Sequence, residues 1–341
     1  MSELRWDPLK HHWVIIAADR GRRPNDFFAQ EPPTPMTSCP FCYGNEDKTP
    51  HEIFALRPSG PPNSPNWKVR VIPNKYPVLR VEGEVKSRGY GIYDVMNGIG
   101  AHEIIIETPD HDRGMADLSV AEITDVLTAY RARLLDLRQD LRLRHLVLFK
   151  NHGARAGASL SHSHSQLIAV PLVPPVTVAE LRNCRDFFEQ RKRCIFCDII
   201  DFELQIGDRI VREFPEYLIF APFASCLPFE LRLFPKRHLH DFTLLDDASL
   251  GGLAVAMKDM LMRLKKVLQD PPFNFILHTS PTLQPRPGRP EFWTSIEYDY
   301  HWHIELVPRI TPIAGFEWGS GFHINQTPPE DAAAFLRGAD F

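Results

Sequence analysis

Two Cys-x-x-Cys pairs, Cys39/Cys42 and Cys194/Cys197, are each followed far downstream by a lone histidine and then by a His-x-His pair. The first set runs Cys39, Cys42, His111, His162 and His164; the second runs Cys194, Cys197, His238, His301 and His303. Two thiolates and two imidazoles make the tetrahedral set that zinc favours. Cys39, Cys42, His111 and His162 would close one such site, and Cys194, Cys197, His238 and His301 a second. The gaps between ligands are too long for a zinc finger, so the fold has to gather them. With all four positions filled the metal is structural, and His162 would tie it to the strand carrying His164. The blander reading makes CPFC a reduced, partly buried thiol pair and His111 a surface histidine; recurrence of the same order weighs against it. A thioredoxin-like redox role lacks the βαβ unit it needs around either pair.

The segment from Asn151 to Gln166, NHGARAGASLSHSHSQ, carries the second kind of chemistry. Small residues and two glycines ahead of a histidine strand let backbone N–H groups approach an anion closely. Ser159 and Gln166 offer neutral donors to phosphate oxygens. His164, as a neutral imidazole, can attack phosphorus and split one displacement into two. For that its second nitrogen must be held by an acceptor. The competing reading packs two strand histidines in a core. In the second set Tyr298 stands in the place of Ser159, Glu305 in that of Gln166 and Trp302 in that of Ser163. A carboxylate there repels a phosphoryl group, so the second half is expected to keep its metal and to have lost the chemistry.

These residues need elements to position them. HEIIIETPDH and FELRLFPKRH, ending at His111 and His238, read as strands entering a Pro-containing turn, each with a glutamate (Glu103, Glu230) eight positions before the histidine. A long amphipathic helix follows each. The first opens at Ser119 with Glu122 as a capping box and is expected to reach about Arg142; the second is expected to start near Ser249. SHSHSQLIAVP and YHWHIELVP then read as strands that turn both histidines of a pair to one face. VRVIPNKYPVL and VREFPEYLIFAPF look like matching strand–turn–strand segments. The fold class is α+β: two tandem domains, 1–178 and 179–341, each an antiparallel sheet with flanking helices. Residues 1–35 and 312–341 look irregular and are expected to wrap over the other half.

At 341 residues the chain is comfortable for two domains, and 43% hydrophobic with 24% charged residues is the balance of a globular protein. A net charge of −4 argues against a nucleic-acid groove or an anionic membrane surface as partner. No apolar run approaches a spanning helix and MSELRWDPLK lacks the core of a signal peptide, so a cytoplasmic setting is expected. Of six cysteines, only Cys184 and Cys226 stand outside the pairs, and they read as packing residues. The 31 prolines suggest ordered connections between short elements.

SHSHSQ preceded by a GAS turn, CPFC near the start and PDH between them resemble the galactose-1-phosphate uridylyltransferase branch of the histidine-triad superfamily. The likeness runs from DPLKHHWVIIAADRGRRP to INQTPPEDAA, nearly the whole chain. It implies that His164 forms a covalent nucleotidyl-histidine and that Ser159 and Gln166 contact phosphate. It implies further that Arg20 and Arg23 lie near the active site, that Asn74 and Asn151 contact the nucleotide, and that Cys39, Cys42, His111 and His162 bind zinc. Two features depart from many members: HSHSQ has no Pro between the histidines, and the tail AGFEWGSGFHINQ lacks the Tyr and Lys some use near a hexose phosphate. Both are closer to a branch that includes plant ADP-glucose phosphorylase, whose second zinc would match Cys194, Cys197, His238 and His301. Other relatives hold a metal on a Glu and three His, which Glu180, His278, His301 and His303 could imitate. The resemblance implies a ping-pong nucleotidyltransferase of the uridylyltransferase type, acting on a nucleotide-sugar and hexose 1-phosphate as a homodimer. A phosphorylase with inorganic phosphate as acceptor and a non-catalytic nucleotide binder are the alternatives.

Overall fold

The computed structural model describes residues 2–17, 39–284 and 294–340. The chain opens with a hairpin, β1 (Glu3–Asp7) and β2 (His12–Ile16). Strands β3 (Phe54–Leu56) and β4 (Val69–Pro73) follow, then an exposed hairpin of β5 (Ser87–Tyr90) and β6 (Tyr93–Met96). Next come β7 (Ala101–Ile106), helix α1 (Val120–Leu137), β8 (His145–His152) and β9 (His164–Val170). Two helices, α2 (Pro175–Arg191) and α3 (Ile195–Ile206), lead into β10 (Ile210–Glu213), β11 (Tyr217–Phe220) and β12 (Leu231–Pro235). Helix α4 (Asp247–Leu268), β13 (Phe273–His278), the single turn α5 (Ile296–Asp299) and β14 (His303–Pro308) complete the repeat. The tail adds α6 (Gly315–Ser320), β15 (His323–Asn325) and α7 (Pro329–Arg337).

Ten strands make one sheet in the order β10-β11-β12-β14-β13-β8-β9-β7-β4-β3. The order reads alike from either edge, with each half contributing five strands and the central antiparallel pair, β8 and β13, joining them. Each half buries one sheet face under its long helix, and α1 and α4 pack on each other, so a single apolar core runs under both halves. That leaves the second face for chemistry. In the second half α2 and α3 cover it with Leu181, Phe196 and Ile200 over Phe220 and Phe234. The expected boundary at 178/179 falls inside α2. Among the described residues no helix is long and apolar enough to cross a membrane.

Several expectations need correction. The capping box of α1 forms as read, with Ser119 and Glu122 bonded reciprocally, but the helix stops at Leu137 rather than near Arg142. Asp140 accepts the Arg142 N–H at 3.0 Å, an Asx turn that competes with further helix. Helix α4 is capped by Asp246, which accepts the Ser249 N–H at 2.8 Å, so it begins before Ser249. VRVIPNKYPVL is one strand, not two. Asn74 Oδ1 takes the Tyr76 N–H at 2.9 Å, and β4 matches β11 in the sheet order, whereas VREFPEYLIF is the true hairpin β10–β11. Residues 3–16 and 315–337 are not irregular, because β15 runs parallel to β2 and joins both ends of the chain in a three-stranded sheet. The N-terminal hairpin does lie on the second half, through Asp7–Arg232 at 3.1 Å and Lys10–Glu305 at 2.9 Å. Helix α7 packs instead on its own half, against β10 and α4.

Candidate active site and metal centres

Side chains two apart on a strand share a face. Around β9 this sends His162, His164 and Gln166 to the face away from α1, and Ser163 and Ser165 toward the helix. Cys39 and Cys42 come from the loop before β3, and His111 from the turn after β7. The ligand atoms of Cys39, Cys42, His111 and His162 lie within 4.8 Å of one another. Cys42 Sγ is 3.4 Å from His111 Nδ1 and 3.7 Å from His162 Nδ1; Cys39 Sγ is 3.7 Å from the same His162 nitrogen. Tetrahedral zinc with usual bond lengths needs S···N separations of about 3.6 Å, so the donor set and its spacing fit. The outer nitrogens are held as well: His162 Nε2 donates to the Thr108 carbonyl at 2.7 Å, and His111 Nε2 lies 3.2 Å from Ser161 Oγ.

The second cluster repeats the first. Cys194, Cys197, His238 and His301 converge within the same 4.8 Å, with Cys197 Sγ 3.3 Å from His238 Nδ1 and 3.9 Å from His301 Nδ1. A third group, Glu180, His278 and His303, also converges, but His301 belongs to the cysteine set.

His164 is buried, and its Nδ1 donates to the His162 carbonyl at 2.8 Å. That bond places the ring proton on Nδ1 and leaves Nε2 with a free lone pair. Burial, and then the Lys150 ammonium, hold its pKa below the ordinary value, so the imidazole stays neutral. Phe41 of CPFC packs edge-on against it at 5.5 Å. Such a ring can act as a nucleophile.

Behind the strand lies a buried ionic cluster that sequence reasoning missed. Lys150 Nζ on β8 donates to Glu107 at 2.6 Å, to Ser163 Oγ at 3.0 Å and to the His164 carbonyl at 3.0 Å. Glu107 also accepts from Ser163 at 2.6 Å, from the Tyr130 hydroxyl of α1 at 3.1 Å, and from Ser165. Burial alone would raise the Glu107 carboxyl, but Lys150 and these hydroxyls hold it below the usual carboxylate value. The alternating serines of SHSHS were the available signal, since they had to meet polar partners on the helix side.

Gln166 faces the same side as His164, and its Oε1 is 2.9 Å from His102 Nε2. Asn74, just after β4, is 3.1 Å from that nitrogen. Asn151 lies near the end of β8, where its Oδ1 accepts from Asn274 at 2.8 Å and its Nδ2 donates to the Gly157 carbonyl at 3.4 Å. It thereby braces the turn whose Gly153 and Gly157 have φ of +81° and +91°. A Cβ at Gly153 would meet Pro272 at 2.9 Å, so the turn needs glycine for space as well as for φ. Ser159 is exposed on the loop before β9. Arg20 and Arg23 lie outside the described residues.

Sheet register identifies the counterparts in the second half. His278↔His303 and Ile276↔Glu305 repeat Phe149↔Gln166, which puts His303 at the place of His164, Glu305 at that of Gln166 and His278 at that of Asn151. Along β7 and β12 the match is one residue off the expected one. Ile106↔His164 and Leu233↔Ile304 place Glu230 opposite His102 in the repeat, not Glu103. Glu103 points to the helix side and pairs with Arg133 at 2.7 Å. The face of the second half is filled by ion pairs. His278 contacts Glu180 at 3.2 Å and Glu305 at 3.4 Å, while Arg232 bridges Glu305 and Asp7 at 3.1 Å each. Burial alone would lower the His278 pKa, but the two carboxylates outweigh it and raise it to about 9. Burial, then His278, pushes His303 down to about 3. On the helix side Trp302, Ile304 and Leu277 stand where Ser163, Ser165 and Lys150 stand in the first half. Tyr298 is exposed on α5.

A half-sheet with one long helix beneath it and a His-x-His strand on its free face, built twice in one chain, defines a tandem histidine-triad-like protein. Residues 1–174 match the family described as galactose-1-phosphate uridyl transferase, N-terminal domain. The chain belongs to the galactose-1-phosphate uridylyltransferase family. It is 38% identical to the ADP-glucose phosphorylase of Arabidopsis thaliana, over 98% of this chain and 92% of that one. Identity to the galactose-1-phosphate uridylyltransferase of Thermotoga maritima is 25%, over 99% and 98%. A crystal structure of the Arabidopsis ADP-glucose phosphorylase with bound ADP-glucose superposes with a TM-score of 0.82 at 34% identity, covering 100% of this chain and 99% of that one. Members of this group are nucleotidyl-transferring enzymes, the class expected from the sequence.

Proposed function

We propose that this protein is a ping-pong nucleotidyltransferase with His164 as the nucleophile. The observation that carries the reading is the Nδ1–H bond from His164 to the His162 carbonyl at 2.8 Å, which directs an unprotonated Nε2 outward. In the first half-reaction Nε2 attacks the phosphorus that bears the nucleoside, a P–N bond forms, and the P–O bond to the sugar phosphate breaks. In the second, an acceptor phosphate oxygen attacks the same phosphorus and restores the imidazole. Gln166 and Ser159 donate to the phosphoryl oxygens; Asn74, Asn151, Arg20 and Arg23 hold the rest of the nucleotide. Cys39, Cys42, His111 and His162 would hold a zinc that fixes the backbone before β9, and Cys194, Cys197, His238 and His301 would hold a second that fixes the other half. A homodimer in the cytoplasm belongs to the same reading.

Inorganic phosphate is the acceptor we favour, with ADP-glucose as donor. The 38% identity to an ADP-glucose phosphorylase along 98% of the chain supports this, as does a tail without the Tyr and Lys that some members use near a hexose phosphate. The second reading is transfer from UDP-glucose to galactose 1-phosphate, supported by the family match over residues 1–174 and the relative at 25% identity.

Incubation with nucleotide-labelled ADP-glucose and UDP-glucose tests both. Label should appear on the peptide carrying His164 and be absent in His164→Ala. Discharge by phosphate alone supports phosphorolysis, and discharge by galactose 1-phosphate supports the second reading. If neither sugar labels the protein and His164→Ala changes no turnover, the protein is a nucleotide binder and the proposal is wrong.

A further inference from the structure

We propose that His102 is a positioning residue that fixes which side of the Gln166 amide meets the phosphoryl group. The inference rests on the reading of His164 and Gln166 given above. His102 lies on β7, diagonal to Gln166 on β9, and is 9% exposed. Its ring has three polar neighbours. The Val78 backbone N–H donates to Nδ1 at 3.4 Å, Gln166 Oε1 lies 2.9 Å from Nε2, and Asn74 Nδ2 lies 3.1 Å from Nε2.

A backbone N–H can only donate, so Nδ1 carries the lone pair and the ring proton sits on Nε2. That N–H donates to Gln166 Oε1, which occupies the amide carbonyl and leaves the Gln166 NH2 for a ligand. Asn74 is oriented separately, because its Oδ1 takes the Tyr76 N–H at 2.9 Å. Its NH2 lies 3.1 Å from His102 Nε2, whose N–H in this tautomer offers it no acceptor, so its bond is left for a phosphate oxygen. The opposite tautomer would set Nδ1–H against the Val78 N–H, and the single lone pair on Nε2 would then face the Asn74 NH2 and a reversed Gln166 NH2. Gln166 would also present a carbonyl oxygen to a phosphate, the wrong sign for binding one.

The second half shows the same two positions without the chemistry. Glu230 stands at the place of His102 and Glu305 at that of Gln166. Lys10 Nζ reaches them from outside, at 3.9 Å and 2.9 Å, and Arg232 adds a second cation at Glu305. Where no phosphoryl group is handled, the donor–acceptor pair has become two carboxylates and an ammonium.

Two substitutions separate positioning from packing. His102→Gln keeps an N–H near the place of Nε2; His102→Leu keeps bulk and loses it. In single-turnover labelling of His164, His102→Leu should slow the labelling rate about tenfold, the size of one lost hydrogen bond. His102→Gln should stay within about threefold of the wild type. Gln166→Leu should lose about as much as His102→Leu, and the double variant no more than either. Losses that multiply, or a His102→Gln as slow as His102→Leu, overturn the proposal. Long-range 1H–15N NMR of the wild-type protein, with the ring assigned by its loss in His102→Gln, reads the tautomer directly. A proton on Nδ1 of His102 also overturns it. If no nucleotide-sugar labels the wild type, the enzyme reading fails by itself and the tautomer alone decides this one.

Discussion

Lys150 and Glu107 sit directly behind His164, both essentially inaccessible, with side-chain exposures of 1% and 0%. A buried charge pair of this kind costs more to break than to replace, because the surviving partner is left uncompensated in a low-dielectric site. Lys150→Met should therefore destabilise the fold by about 3–5 kcal/mol. The double variant Lys150→Met/Glu107→Leu should recover most of that loss, as the second half already manages with Leu277, Trp302 and Ile304 in the corresponding region. Urea unfolding of the single and double variants measures it; additive losses would show that the pair is not coupled. The double variant should still slow His164 labelling, since Lys150 also holds the His164 carbonyl at 3.0 Å. His164, His162 and the cysteines were legible because residue type and spacing mark them. Lys150, Glu107 and His102 were not, because their meaning depends on which strand lies beside which. Ser163 and Ser165 came closest to announcing them.

At the scale of elements, the same strand-and-turn unit is used twice, and each copy gathers two cysteines and two histidines that could hold a metal. In both, a Cys-x-x-Cys pair, in a loop in the first half and at the start of α3 in the second, converges with the first histidine of a His-x-His pair. Phe41 rests on His164 at 5.5 Å in the first, and Phe196 rests on His303 at 5.3 Å in the second. Losing a thiolate should cost metal and stability together, since a structural zinc site can contribute about 10 kcal/mol of apparent binding energy. Cys39→Ser should lose one metal equivalent and most of the His164 labelling; Cys194→Ser should lose one equivalent and keep the labelling in whatever fraction stays folded. Metal analysis with thermal unfolding and labelling on the same samples makes the comparison. Full metal content in Cys39→Ser would remove the zinc assignment. The sequence showed these elements well where a cap or an alternation declared them, as at Ser119. It misled where a one-residue slip was invisible: Glu103 and Glu230 look equivalent by counting back from a histidine, yet a slip of one on a strand reverses the face. Only the registers of β7 against β9 and of β12 against β14 show that His102 is the counterpart of Glu230.

At the scale of the whole molecule, the two halves share one sheet and one helix-side core, so polar contacts across their boundary are buried and carry weight. Arg138, at the end of α1, crosses to the other half. It pairs with Asp241 and donates to Thr243 Oγ1 at 2.9 Å and to the Ser280 carbonyl at 3.0 Å. Asp241 also accepts the Thr243 N–H at 2.8 Å and the Ser280 hydroxyl at 3.0 Å. Burial alone would raise its pKa, but Arg138 and these donors outweigh it and hold the carboxyl below its ordinary 3.8. A folded-state pKa below the unfolded one stabilises the fold above the unfolded value, and that contribution fades as the pH falls through the folded value. Asp241→Asn should therefore cost about 1–3 kcal/mol at pH 7, the range for a buried hydrogen-bonded group losing its charge. The gap to the wild type should narrow as the pH drops below about 4, because the wild type is then losing the same charge. Denaturant unfolding of both proteins from pH 7 downward reads the two curves. Parallel curves would mean that Asp241 does not hold the halves together through its charge. Converging curves would place this crossing among the contacts through which each half supports the other.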